Sequence, residues 1–89
     1  TSNLVFVKNG KIFSPKKNCY IGNTITFISK RMKINFKNIS IKSIHDYDEI
    51  ILIGSGKGVT SISKISELNW KKRKNNCYIK LNKIYKSIE

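Results

Sequence analysis

Proline occurs once in 89 residues, at Pro15, and histidine once, at His45. Acidic residues are scarce as well, five against 18 basic ones, and arginine is confined to Arg31 and Arg73. Each shortage excludes something. A single His with no neighbouring Cys leaves no donor set for zinc, so no metal site is expected. The two cysteines, Cys19 and Cys77, are too far apart for a C-x-x-C pair and too few for a disulfide framework. A reduced, cytoplasmic protein is the default for such a chain. No apolar run approaches the length of a membrane span, so no membrane partner is expected. There is no internal repeat and no low-complexity linker to divide the chain.

What is plentiful is lysine. The formal charge is +13, which by itself suits a polyanion. Base and phosphate readout favours the bidentate fork of Arg, however, and sixteen of the 18 cations are Lys. An AT-rich coding sequence supplies Lys, Asn and Ile together without regard to function, and that explanation is preferred. A small basic nucleic-acid-binding module, gripping single strands with Trp70 and Lys71, Lys72, Arg73 and Lys74, stays as the alternative of another class. A solvated loop with one anchoring Trp is the plainer reading of that run.

The hydrophobic pattern reads as alternating strands and helices, an α/β chain. Leu4 to Val7 and Lys11 to Phe13 flank Asn9-Gly10, the strongest short-range hairpin signal. Ile21, Ile25, Ile28 and Met32 fall on one helical face, with Asn23 or Thr24 as cap. Ile34 and Phe36, extended by Ile39 and Ile41, alternate as a strand. Ser43 to Tyr47 reads as a short helix or turn. Glu49-Ile50-Ile51-Leu52-Ile53 is a continuous apolar run between Asp48 and Gly54, the signature of a buried central strand. Val59 to Ile65 reads as a weak strand with Ile62 and Ile65 toward the core. Tyr78, Leu81, Tyr85 and Ile88 space out an amphipathic closing helix.

Two places have the chemistry of an anion site. Gly22-Asn23-Thr24 opens a helix, where free N–H groups and the positive end of the dipole attract phosphate. A plain helix cap would look the same. Gly54-Ser55-Gly56-Lys57-Gly58 follows the buried strand, where ligands of α/β sheets collect. The P-loop spacing is absent, and a tight strand exit is the plain alternative. His45-Asp46 with Asp48-Glu49 reads as a turn with capping acids, because no nucleophile stands beside it.

In order and spacing these pieces resemble the C-terminal part of the class IV aminotransferases and aminodeoxychorismate lyases. Ser2 to Gly10 is similar to the family's S-N-x-F-x-x-K-D-G hairpin, and Ile12 to Pro15 to the strand after it. Ile21-Gly22-Asn23-Thr24-Ile25 is similar to its L-x-G-I-T-R helix start. Asp48 to Ser55 is similar to its D-E-hydrophobic strand, and Gly58 to Ile62 to the G-V-x-P-V that follows. Ile25, Asn23 and Ser61 depart from the usual Arg, apolar residue and Pro. The resemblance implies the C-terminal part of the family's larger domain, a mixed sheet or pseudo-barrel with flanking helices. Residues 1–89 are then a partial C-terminal domain, without the N-terminal domain and the catalytic-lysine segment. The start at Thr1 rather than Met agrees with that expectation.

The same resemblance implies pyridoxal 5'-phosphate as cofactor. Gly22, Asn23, Thr24 and Ser55 would hold its phosphate, with Ser2 and Asn3 nearby. Gly56 and Lys57 would meet the carboxylate of a small amino acid or 2-oxo acid substrate. A branched-chain type aminotransferase is the expected parent activity, with 4-amino-4-deoxychorismate lyase as the close alternative, in a cytoplasmic homodimer. No catalytic residue of the family maps onto these 89 residues, so the chain alone is expected to be inactive. It is also expected to be poorly stable, on the ground that missing upstream strands would bare the edge of Ile50–Ile53.

Overall fold

The computed structural model describes residues 2–15, 28–54 and 58–87. Strand β1 (Ser2–Lys8) and strand β2 (Lys11–Pro15) are antiparallel and joined by a two-residue turn. Asn9 and Gly10 both take positive φ, 52° and 78°, so this is the hairpin that the Asn-Gly pair predicts. β2 pairs in parallel with β3 (Ile34–Lys37). A 3-10 turn over Ile41–Asp46 follows, opened by Ser40, whose side chain accepts from the Lys42 N–H. β4 (Glu49–Gly54) then returns beside β1, and β5 (Gly58–Ser61) pairs antiparallel with β4. The result is one mixed sheet in the order β3-β2-β1-β4-β5.

Past this sheet, β6 (Lys64–Ile65) and β7 (Trp70–Lys71) form a small antiparallel pair around a 3-10 turn at Ser66–Leu68. The chain closes with helix α1 (Asn76–Lys86). Among the described residues no helix is long and apolar enough to cross a membrane.

The period-2 alternation of β1 and β4 sends side chains to two separate cores. Val5, Val7, Ile12, Ile51, Ile53 and Val59 point to one face, where Cys77 and Leu81 of α1 and Ile28 cover them. Phe6 and Ile50 point to the other, beneath Ile44, Tyr47 and Trp70. β4 therefore has cover on both faces, which is why its sequence is a continuous apolar run rather than an alternating one.

Several expectations need correction. β4 lies between β1 and β5, so Ile50–Ile53 has no bare edge, and the expected instability loses its stated cause. The stretch read as one strand from Val59 to Ile65 breaks after Ser61, and its second part turns away as β6. Ile62 and Ile65 do pack on the second core. Trp70 and Lys71, read as the start of a loop, pair as β7. Ile39 and Ile41 are not in a strand, because β3 ends at Lys37. Ile39 packs on the second core and Ile41 is exposed. Of the helix predicted around Ile21 to Met32, residues 28–29 are helical, with Ile28 O accepting from the Arg31 and Met32 N–H groups. Its earlier residues lie outside the described ones, as does Ile88.

Candidate functional site

One rim of the sheet gathers the strand ends that carry both glycine segments. Ser2, at the start of β1, pairs with Gly54 at the end of β4, and Gly54 pairs in turn with Gly58 at the start of β5. Asn3 pairs with Ile53 one step inward and is buried. β2 ends on the same side, because the buried Ser14 hydroxyl donates to Leu4 O at 3.0 Å. Pro15 pairs with Lys37, the end of β3. The carboxyl ends of β2, β3 and β4 thus share this rim, the place where α/β sheets bind ligands. Residues 55–57 connect Gly54 to Gly58, and residues 16–27 follow Pro15, so both segments leave from it.

Gly22, Asn23, Thr24, Ser55, Gly56 and Lys57 lie outside the described residues, as does the side chain of Ser2. Ser2 and Asn3 are brought to the rim by strand register. Sequence reading did not identify Gly58 as a constrained position. Its φ is +74°, and a Cβ there would lie 3.0 Å from Tyr85 Cε2. Only glycine suits both the backbone and the space.

The opposite rim carries the acids. Asp48 and Glu49 do not cap the turn before them, which Ser40 caps. They reach parts of the chain much further on. Glu49, 1% exposed, accepts from the Cys77 N–H at 3.1 Å and the Tyr78 N–H at 3.0 Å. These are free donors in the first turn of α1, whose own N-cap residue, Asn75, makes no side-chain capping bond. A carboxylate there also meets the positive end of the helix dipole. Beside it, burial, with the Glu49 charge adding to it, pushes the Cys77 thiol up against a partial offset from Lys80. The free, buried Cys77 is a poor nucleophile on that account.

Asp48 ties the hairpin to the segment before α1. Its carboxylate accepts from the Asn9 N–H at 3.2 Å and from Arg73 Nε at 3.1 Å, with Lys74 Nζ at 3.9 Å. Burial alone would raise its pKa. The Asn9 and Arg73 hydrogen bonds and the Lys74 and Arg73 charges outweigh that and hold it below its usual 3.8. A carboxylate depressed in the folded state adds stability above its unfolded pKa and loses it as pH falls through the folded value. Native protein is therefore expected to weaken below about pH 5, where the unfolded Asp48 takes up its proton first. Urea titrations at stepped pH should show an Asp48→Asn variant with a flatter decline than the parent.

The basic run is occupied by structure. Trp70 is buried and donates from Nε1 to Tyr47 O at 3.0 Å, so it is the anchor and offers no face to a base. Lys72 Nζ reaches Ser61 Oγ and Asn75 Oδ1 at 3.3 and 3.0 Å. His45 is exposed. No group of His, Cys, Asp and Glu suited to a metal ion occurs among the described residues.

Against this geometry, the family model for amino-transferase class IV matches residues 1–65. No curated protein matches the chain. A putative 4-amino-4-deoxychorismate lyase from Legionella pneumophila superposes over 99% of this chain and 35% of its own, at 20% identity and a TM-score of 0.83. A branched-chain amino acid aminotransferase from Thermobaculum terrenum, solved in its PLP form, superposes over 98% of this chain and 31% of its own, at 21% identity and a TM-score of 0.79. For the branched-chain amino acid aminotransferase from Escherichia coli the figures are 92%, 30%, 20% and 0.77. The 89 residues span about a third of the length of these structures, and they share their fold.

Proposed function

We propose, from the premise that this chain belongs to the amino-transferase class IV family, that it forms the phosphate-holding wall of a pyridoxal-phosphate enzyme. The observation that carries the reading is the shared rim. Strand register brings Ser2, Gly54 and Gly58 side by side and sends residues 16–27 off from the same end of the sheet. A dianionic phosphate needs several N–H donors converging without bulky side chains, and two glycine-bearing segments leaving one rim suit it. The cofactor, when bound, supplies the electron sink for chemistry at the amino acid's α-carbon.

In this reading the backbone N–H groups of Asn23 and Thr24, following Gly22, and the Thr24 and Ser55 hydroxyls hold the phosphate. The N–H groups of Gly56 and Lys57 orient the substrate carboxylate. Asn3 and Ser2 stand on the strand that borders them. None of the sixteen lysines matches the family's cofactor-holding position, so the 89 residues by themselves are inactive. The active form is a cytoplasmic homodimer of a longer protein.

The proposed reaction is amino transfer between a branched-chain amino acid and a 2-oxo acid. A second reading, 4-amino-4-deoxychorismate lyase, is favoured by the full-chain superposition on the Legionella protein. The full-length gene product, loaded with pyridoxal phosphate, should convert branched-chain 2-oxo acids in a glutamate-dependent assay. Pyruvate release from 4-amino-4-deoxychorismate would move the assignment to the lyase. A full-length protein that retains no pyridoxal phosphate after gel filtration would overturn both.

A further inference from the structure

We infer that Asn9 is a site of self-modification, deamidating through attack by the Gly10 nitrogen at a rate set by the grip of Asp48. Of the ten asparagines in the chain, only Asn9 precedes glycine. The other nine precede residues whose side chains hinder a nitrogen approaching the asparagine Cγ. Asn69, the other asparagine at positive φ, is followed by the buried Trp70. Asn9 and Gly10 form the exposed turn between β1 and β2. A Cβ on Gly10 would meet nothing within 4 Å, so no neighbour shields that nitrogen. Among the described residues neither the Asn9 side-chain amide nor the Gly10 N–H has a hydrogen-bond partner. Electrophile and nucleophile are adjacent, solvated and uncommitted.

Water is the only co-reactant. The deprotonated Gly10 nitrogen bonds to Asn9 Cγ, and the side-chain nitrogen leaves as ammonia. Water then opens the cyclic succinimide at either carbonyl, giving aspartate or isoaspartate, with no change of oxidation state. The folded turn restrains the first step. With φ of 52° and 78° at the two positions, the backbone holds the Asn9 side chain away from the Gly10 nitrogen, and attack needs rotation about the Asn9 ψ out of the turn. Asp48 opposes that opening. Its Oδ2 accepts the Asn9 N–H at 3.2 Å, its Oδ1 is held by Arg73 Nε at 3.1 Å, and its own N–H donates to Val7 O. The two products differ in what they keep. Aspartate suits the same turn, as Asp-Gly. Isoaspartate adds a methylene to the backbone, which the two-residue turn and the Lys8–Lys11 pairing cannot absorb, so it releases the hairpin from the segment before α1.

The test incubates the full-length protein in mildly alkaline buffer and follows each asparagine by peptide mapping, with isoaspartyl methyltransferase labelling to separate the two products. Asn9 is expected to convert ahead of every other asparagine and to give both products. Asp48→Ala should speed that conversion by at least about tenfold, because it removes a hydrogen bond to a charged group from the closed turn. Arg73→Gln, which loosens the carboxylate without touching the turn, should speed it less and covers the case in which Asp48→Ala does not fold. Ile84→Ala, which loosens α1 on the first core, should lower the melting temperature and leave the Asn9 rate within about twofold, since local rather than global opening governs it. An Asn9 that stays intact while other asparagines convert overturns the inference. So does a rate unchanged in both Asp48→Ala and Arg73→Gln, or an acceleration in Ile84→Ala equal to theirs, which would put the reaction in the globally unfolded chain.

Discussion

Replacing Glu49 with alanine is expected to destabilise the protein by about 3–5 kcal/mol, because two hydrogen bonds to one buried carboxyl are lost together. The side chain is 1% exposed and both its oxygens accept, one from Cys77 N–H and the other from Tyr78 N–H. Hydrogen bonds to a charged group contribute about 1.5–3 kcal/mol each in net terms. The buried Cys77 N–H would be left without its partner, and the lost side-chain volume would leave a small cavity besides. Glu49→Gln keeps the volume but offers one accepting oxygen and turns an NH2 toward a donor. Its expected cost is about 1–3 kcal/mol. Chemical denaturation followed by circular dichroism would measure both. A loss under 1 kcal/mol for the alanine variant would mean that α1 does not depend on this carboxyl.

Trp70→Ala should cost a similar amount by another route. The indole is among the largest fully buried side chains and fills the second core between Tyr47, Ile44, Phe6 and Ile50. Truncating a buried Trp to Ala typically costs about 3–5 kcal/mol in lost burial and residual cavity. Tyr47 O would also lose the Nε1 donor that reaches it at 3.0 Å. Trp70→Phe isolates that last contribution in part, with an expected loss of about 1–2 kcal/mol. Because Trp70 is the single tryptophan, the midpoints have to be read by far-UV circular dichroism rather than by indole fluorescence. The first core should be little affected, since Leu81 and Cys77 pack on the opposite face of the sheet. A rise in Cys77 alkylation rate in Trp70→Phe beyond that set by its lower global stability would contradict that separation.

The same contacts explain which parts of the architecture could be read from the string of residues. The Asn9-Gly10 turn was legible because its geometry demands positive φ at two neighbouring positions, a local requirement with a local signature. β4 was legible because cover on both faces leaves an unbroken apolar run. The closing helix was legible from Leu81 and Tyr85 on one face. The β6–β7 pair was not, since two-residue strands are shorter than any period that could announce them. The service of Glu49 to α1 was hidden too. An acid beside a turn has an obvious local use, and its actual partners lie 28 and 29 residues away. Gly58 reads as one of several glycines until the Tyr85 ring is seen against it. At the rim, the resemblance put Ser2 and Asn3 near the cofactor as an expectation, and strand register pairs them with Gly54 and Ile53.

The dependence of α1 on β4 bears on the order in which the molecule assembles. Eleven residues whose N-cap makes no side-chain capping bond are too short to persist as an isolated helix in water. The group that completes the first turn becomes available only when the strand bearing it is in place. Closure of α1 therefore belongs late in folding, after the hairpin and β4 have paired.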